Sequence, residues 1–289
     1  MNRVHRVHHV HAGYRKKAKR MFVSAITIAI FAYLGLMAIL FSAQRRLIFP
    51  VSHEMGRTPD QAPYRMKFED LFLPVSDGKV TNAWFIPAEN AERTVLFCRG
   101  NGGTLSDWID VGYMFHLVGV NIMLFDYGGY GRSTGHPSES RLYEDGRAAW
   151  RWLTDERKIP AARIVIIGHS IGGGVAAQLA TEVKPAALIL QSTFTSMPDI
   201  CQQNLPYFPV KPLVRDRFMT KSKLSRIACP LLIVHSPDDT MIPIAHGRAL
   251  FEHAREPKQF LEIRGDHNEG MLSPPYMRGV ERFIENLPK

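Results

Sequence analysis

The 289-residue chain is poor in cysteine and has no cysteine pattern: Cys98, Cys201 and Cys229 stand far apart, without a C-x-x-C spacing. That excludes a disulfide framework and a thiolate zinc site. The glycine-rich phosphate motifs G-x-x-x-x-G-K-[ST] and G-x-G-x-x-G are missing. There is no internal repeat, and no low-complexity segment beyond a basic tail. Net charge is also nearly absent outside that tail. The formal +9 falls to +2 once Arg3, Arg6, Arg15, Lys16, Lys17, Lys19 and Arg20 are set apart, and residues 1–20 contain no acid. Nucleic-acid binding needs basic residues gathered on the folded domain, so the basic character reads as a targeting or membrane-surface feature. His5, His8, His9 and His11 share the tail. With no second ligand cluster they read as a solvated segment rather than a metal site.

Charge is missing altogether from residues 21–43. As a helix this run spans about 34 Å at ~1.5 Å per residue, enough to cross a bilayer. A cleaved signal peptide is the rival, but its apolar region is usually ~7 to 15 residues and ends at a small-x-small site. Here the run is longer, and Phe41 occupies the third position before the only plausible cut, after Ala43. Seven Lys/Arg precede the run, and Arg45, Arg46 and Arg57 follow in the matching window. Lys/Arg excess is retained on the cytoplasmic side. The expectation is a single-pass membrane protein with a cytoplasmic tail (1–20), a transmembrane helix (21–43), a connector (44–67) and an extracytoplasmic domain (68–289).

Within that domain, short apolar runs alternate with helical patterns. Strands are expected at 71–75, 81–86, 94–98, 121–125, 164–167, 187–190, 231–235 and 259–263, and helices at 105–117, 139–155, 171–182, 244–254 and 276–286. The alternation predicts an α/β fold: a mostly parallel sheet of about eight strands with helices on both faces. The Pro-rich, apolar interval 192–228 breaks the rhythm. It is expected to be a short lid or binding loop that walls a pocket, against the plainer reading of a helical excursion on the sheet.

Ile164-Val165-Ile166-Ile167 leads into Gly168-His169-Ser170-Ile171-Gly172, and a small-residue helix pattern follows. A G-x-S-x-G between strand and helix forms a tight turn that lifts the serine hydroxyl above the sheet, with the helix N-terminus aimed at a forming oxyanion. A serine needs a base within hydrogen-bond reach, itself oriented by an acid. Downstream, Asp238 and Asp239 follow the strand ending in His235, and His267 follows the last strand, so all lie at the edge where catalytic groups of open sheets gather. His169 and His235 are read as structural. After the third strand, Arg99-Gly100-Asn101-Gly102-Gly103 can present backbone amides, and the oxyanion donors are assigned to Asn101 and Ile171. The turn Asp126 to Ser133 reads as structural, with Asp126 capping backbone amides.

These motifs together give the chain a resemblance. R-G-N-G-G at 99–103, D-Y-G-G-Y-G-R-S at 126–133, G-H-S-I-G at 168–172, H-S-P-D-D-T-M-I-P at 235–243 and G-D-H-N at 265–268 resemble the membrane-anchored branch of the α/β-hydrolase superfamily, which contains lysophospholipase-like, monoacylglycerol-lipase-like and depalmitoylating proteins. The likeness extends over about residues 68–288. It implies a serine hydrolase that cleaves carboxylic esters or thioesters of small molecules, lipids or acylated proteins through Ser170, His267 and an acid, without metal or organic cofactor. The acid four residues after the strand-ending His is implied to be Asp239. A peptidase of the same fold and a catalytically silent, membrane-tethered interaction module are the rival readings. Two positions depart from the pattern: Arg99 stands where the family usually has His, and Gly128 where Arg is common. The Arg99 side chain is expected to narrow the pocket or to bind a substrate carboxylate or phosphate.

Overall fold

The computed structural model describes residues 2–288, with side chains for residue 17 and for 19–288. The side chains from Arg3 to Lys16, which carry most of the tail's charge and its histidines, lie outside the described residues. The chain divides into two compact units, Met1–Gln44 and Arg45–Lys289.

The first unit is formed by helix α1, Asn2–Ile48, which continues four residues into the second. Lys19–Ile48 is long and apolar enough to cross a membrane, with a mean hydropathy of 2.3. Phe22, Ile28 and Phe31 are each about two-thirds exposed (67%, 69% and 68%). A helix with such residues bare to water has an apolar surface that lipid or another chain must cover.

The second unit is built on one eight-stranded sheet. Its strands are β1 (Glu69–Pro74), β2 (Val80–Ile86), β3 (Thr94–Cys98), β4 (Asn121–Phe125), β5 (Ile164–His169), β6 (Ala187–Gln191), β7 (Leu231–His235) and β8 (Lys258–Glu262), in the order β1-β2-β4-β3-β5-β6-β7-β8. β1, β2 and β4 pair antiparallel, and every pairing from β4 through β3 to β8 is parallel. The expected eight strands are all present, displaced at the edges by one or two residues. The central strands are continuous apolar runs because both faces are covered. In β5, Ile164 and Ile166 enter one core, and Val165 and Ile167 enter the other. The first core packs under α3 (Glu139–Arg151) and α4 (Ile171–Ala180). The second packs under α2 (Ile109–Leu117) and, beyond two short helices α5 (Met197–Asn204) and α6 (Thr220–Leu224) and helix α7 (Ile244–His253), under α8 (Pro274–Glu285).

Local chemistry sets these ends. Ser138 and Ser273 cap α3 and α8 by accepting from the amides of Arg141 and Tyr276, and Pro274 at the first turn of α8 needs no amide partner. The helix expected over 105–117 begins instead as a 3₁₀ turn, Leu105–Trp108, closed by a capping box between Thr104 and Asp107.

Two expectations are corrected here. The segment 44–67, a connector by composition, is taken from Arg45 onward into the second compact unit: Phe49 and Met66 are buried and belong to the two cores. Part of the interval 192–228 is packed into the core as well. Phe194, Met197, Ile200, Val214 and Phe218 are buried in the core beneath α3 and α4, and Phe218 meets the ring of Tyr143 edge-on at 5.7 Å.

Candidate active site

Ser170 joins β5 to α4 with φ 54° and ψ −122°, in a region a side-chain-bearing residue rarely enters. Both flanking glycines are dictated by close approach. A Cβ on Gly168 would meet the Gly172 carbonyl oxygen at 2.5 Å, and one on Gly172 would run into the Cys98 carbonyl. The turn is fixed from β6: the Ser170 amide donates to Gln191 O at 3.0 Å, and Thr193 Oγ1 donates to Ser170 O at 2.6 Å. Such a conformation persists only where its surroundings over-determine it.

His267 Nδ1 lies 2.8 Å from Asp239 Oδ2, with both side chains buried. The carboxylate can only accept, so Nδ1 carries the proton and Nε2 keeps its lone pair. Asp239 Oδ1 accepts from the amides of Met241 (3.0 Å) and Ile242 (2.8 Å). Buried His235 donates from Nε2 to Ile242 O at 2.8 Å and stands 3.5 Å from Asp239 Oδ2. Burial pushes the Asp239 carboxyl up, but the hydrogen bonds from His235, His267 and Ile242 outweigh it and hold the group well below the usual carboxylate range. Asp238 is engaged elsewhere, 3.2 Å from Arg264 Nη1. Of the two neighbouring acids, only Asp239 reaches His267.

Ser170 and His267 open into one cleft of about 520 Å³, walled by Trp108, Val111, Met241, Met271, Leu272 and Pro50. Asn101 borders it. Ile171 is the first residue of α4, so its amide has no intrahelical acceptor. The Asn101 side chain is held twice: Nδ2 donates to Ile48 O, and Oδ1 accepts from Tyr130 Oη at 2.9 Å. No residue of 192–228 lines the cleft. Its walls come instead from the start of α2, the loops after β7 and β8, and the chain just past α1.

Arg99 does not enter the pocket. Its fully buried guanidinium pairs with Asp126 at 2.8 Å, lies 4.8 and 5.1 Å from the ring centres of Tyr130 and Tyr127, and donates to the carbonyls of Gly100 (2.9 Å) and Gly102 (3.1 Å). It therefore frames the glycine loop from beneath, and the expectation of a substrate-binding charge falls. Asp126 accepts from Leu105 N at 3.3 Å, as a capping role requires, but its main partner is Arg99. The space a side chain at 128 would need is filled by Arg141, whose Nε would lie 2.6 Å from a Cβ on Gly128.

His169, read as a structural residue beside the elbow, does line the cleft. Its ring stands 5.0 Å from that of His267 and 5.4 Å from Trp108, and Nε2 donates to Asn268 Oδ1 at 3.0 Å. Burial, then the neighbouring His267, push its pKa down to about 3, so it stays neutral beside the site. Trp108 and Asn268 escape sequence reasoning. Asn268 directly follows His267, but nothing in that adjacency foretells a bond to a residue ninety-nine positions earlier.

The fold, the strained serine turn and the buried histidine–aspartate pair define the class: the chain belongs to the α/β-hydrolase family. A family model described as the alpha/beta hydrolase fold matches residues 93–228. An uncharacterised protein of Mycobacterium tuberculosis is 32% identical over 274 residues, covering 93% of this chain and 96% of that one. Human alpha/beta hydrolase domain-containing protein 17B is 35% identical over 205 residues, 68% of this chain and 67% of its own. Among solved structures, a Pyrococcus furiosus esterase superposes with a TM-score of 0.70 at 19% identity, over 82% of this chain and 96% of that one, a likeness of fold.

Proposed function

We propose that the protein is a membrane-anchored serine hydrolase that cleaves carboxylic ester or thioester bonds of acyl substrates. The observation that carries the reading is the single cleft lined both by Ser170, on its strained turn, and by a His267 paired with Asp239. Ser170 Oγ attacks the acyl carbonyl while His267 Nε2 takes its proton, and Asp239 stabilises the imidazolium that forms. The amides of Asn101 and Ile171 receive the oxyanion. His267 then returns the proton to the departing alcohol or thiol, and a water activated by the same nitrogen cleaves the acyl-enzyme. Trp108, Val111, Met241, Met271 and Leu272 suit a hydrocarbon chain, beside the acids Asp107 and Asp110 that also line the cleft. Covalent labelling of Ser170 by a fluorophosphonate, lost in Ser170→Ala, is the expected result. A wild-type protein that takes up no label and turns over no ester contradicts the reading.

Residues 21–43 are read as the anchor, with the tail in the cytoplasm and the domain outside it, because seven Lys/Arg precede the run and three follow it. Protease added to intact cells should then digest the domain, and full protection until lysis would reverse the orientation.

A further inference from the structure

Arg99 is a buried charge that the hydrolytic steps leave unused. Taking a charge out of water is costly, and an opposite charge and hydrogen bonds are what offset it. Arg99 has both. Nη2 pairs with Asp126, and Nη1 alone donates to two carbonyls of the glycine loop, Gly100 O at 2.9 Å and Gly102 O at 3.1 Å. The residue is also held by its own backbone, since Tyr127 Oη donates to Arg99 O at 2.8 Å.

The Gly100 carbonyl belongs to the same peptide unit as the Asn101 amide. That unit is trans, so its C=O and N–H bonds point in opposite directions. With Gly100 O drawn onto Arg99, the Asn101 N–H is turned away from the guanidinium. Among the described residues, no backbone carbonyl accepts from this amide, and Gly100 and Asn101 both border the cleft that holds Ser170. The Asn101 side chain, bonded to Ile48 O and Tyr130 Oη, fixes the other end of the residue.

A carbonyl that accepts from a cation also polarises its peptide, and the N–H at the far end becomes a stronger donor. Asp126 balances the charge of Arg99, so the effect reaches the cleft through the peptide unit rather than as a bare positive field. A guanidinium suits the task because its fork serves two acceptors from one nitrogen and it keeps its proton at every working pH.

We propose that Arg99 is a positioning residue for acyl transfer: by holding the Gly100 carbonyl it aims and strengthens the Asn101 amide as an oxyanion donor. The inference rests on the reading of the protein as a serine hydrolase with Asn101 as that donor.

The test uses the full chain. Arg99→Met alone would strand Asp126 without its partner, so it is combined with Asp126→Asn, and Arg99→Lys is made separately. Endpoint labelling of Ser170 by a fluorophosphonate counts working sites, so that kcat refers to folded enzyme. In the double variant kcat for a soluble ester should fall by about 10²-fold, with KM within a few-fold. A trifluoromethyl ketone, which adds Ser170 Oγ to its carbonyl and leaves a tetrahedral oxyanion, should bind more weakly by the same factor as kcat/KM falls. Arg99→Lys keeps the charge but not the fork and should lose only about ten-fold in both readouts. Where the double variant does not fold, Arg99→Lys carries the comparison by itself. An unchanged kcat per labelled site, or a loss confined to KM, to melting temperature or to the number of sites, overturns the positioning role and leaves the hydrolase reading intact. A wild-type chain that neither labels nor turns over ester removes that reading, and this role with it.

Discussion

His267 Nδ1 lies 2.8 Å from Asp239 Oδ2, whereas Asp238, one residue earlier in the chain, is turned to Arg264. The two neighbouring acids therefore have separable consequences. Asp239→Asn would offer His267 an amide in place of an obligate acceptor and favour the wrong imidazole tautomer. A fall in kcat of about 10³- to 10⁴-fold is expected. Asp238→Asn should leave kcat within a few-fold. Steady-state hydrolysis of a soluble ester checks both, and an equal loss in the two variants would contradict the assignment.

The side chain of Asn101 is bonded to Ile48 O on one side and Tyr130 Oη on the other, and its backbone amide is the proposed oxyanion donor. Asn101→Ala keeps the amide but frees the loop. Misplacement of a donor by an ångström or less lowers kcat by about 10- to 100-fold, with KM changing little. Tyr130→Phe should produce a smaller loss in the same direction. A change confined to KM or to melting temperature would assign Asn101 to packing instead.

Stability should depend on acid through His169. Its pKa is held down at about 3 in the folded protein against an ordinary 6.5, so below 6.5 the unfolded chain binds a proton that the native state refuses. The stability contributed by keeping this ring neutral is complete above pH 6.5 and is lost as pH falls from there towards about 3. Asp239, depressed from an ordinary 3.8, acts only at the acid end of that range. Melting temperatures from pH 7 to pH 4 should fall less steeply in His169→Gln than in the wild type. Parallel curves would contradict a neutral, buried His169.

Acyl preference should follow the walls formed by Trp108, Val111, Met241, Met271 and Leu272 rather than the interval 192–228. Each buried CH₂ contributes up to ~0.8 kcal/mol, and the part realised in the transition state raises kcat/KM. Values should rise from acetyl towards octanoyl esters below their aggregation limits. Val111→Trp should shorten the preferred chain, and substitutions at Tyr207, which is exposed, should not. A steady fall from acetyl to octanoyl would contradict an acyl-binding cleft.

What the sequence made legible is what local patterning encodes. β5 and the serine turn could be read because four β-branched apolar residues run into glycines that only a crowded turn requires, and His267 because it follows the last strand at the edge that carries Ser170. What stayed hidden depends on long-range packing. Trp108 reaches the cleft because a 3₁₀ turn precedes α2, and His169 faces it because Asn268 and Trp108 hold its ring. The interval 192–228 misled because an apolar, Pro-rich composition is the same whether it walls a pocket or fills a core. Arg99 misled because a charge in a glycine loop reads as exposed until Asp126, Tyr127 and Tyr130 are seen around it.

The most direct measurement is ester turnover by the purified full chain, wild type against Ser170→Ala, His267→Ala and the double variant. Members of such a unit are non-additive, so each single change should lower kcat by about 10⁴-fold or more, with the double little worse than either. Near-wild-type turnover by Ser170→Ala would contradict the account.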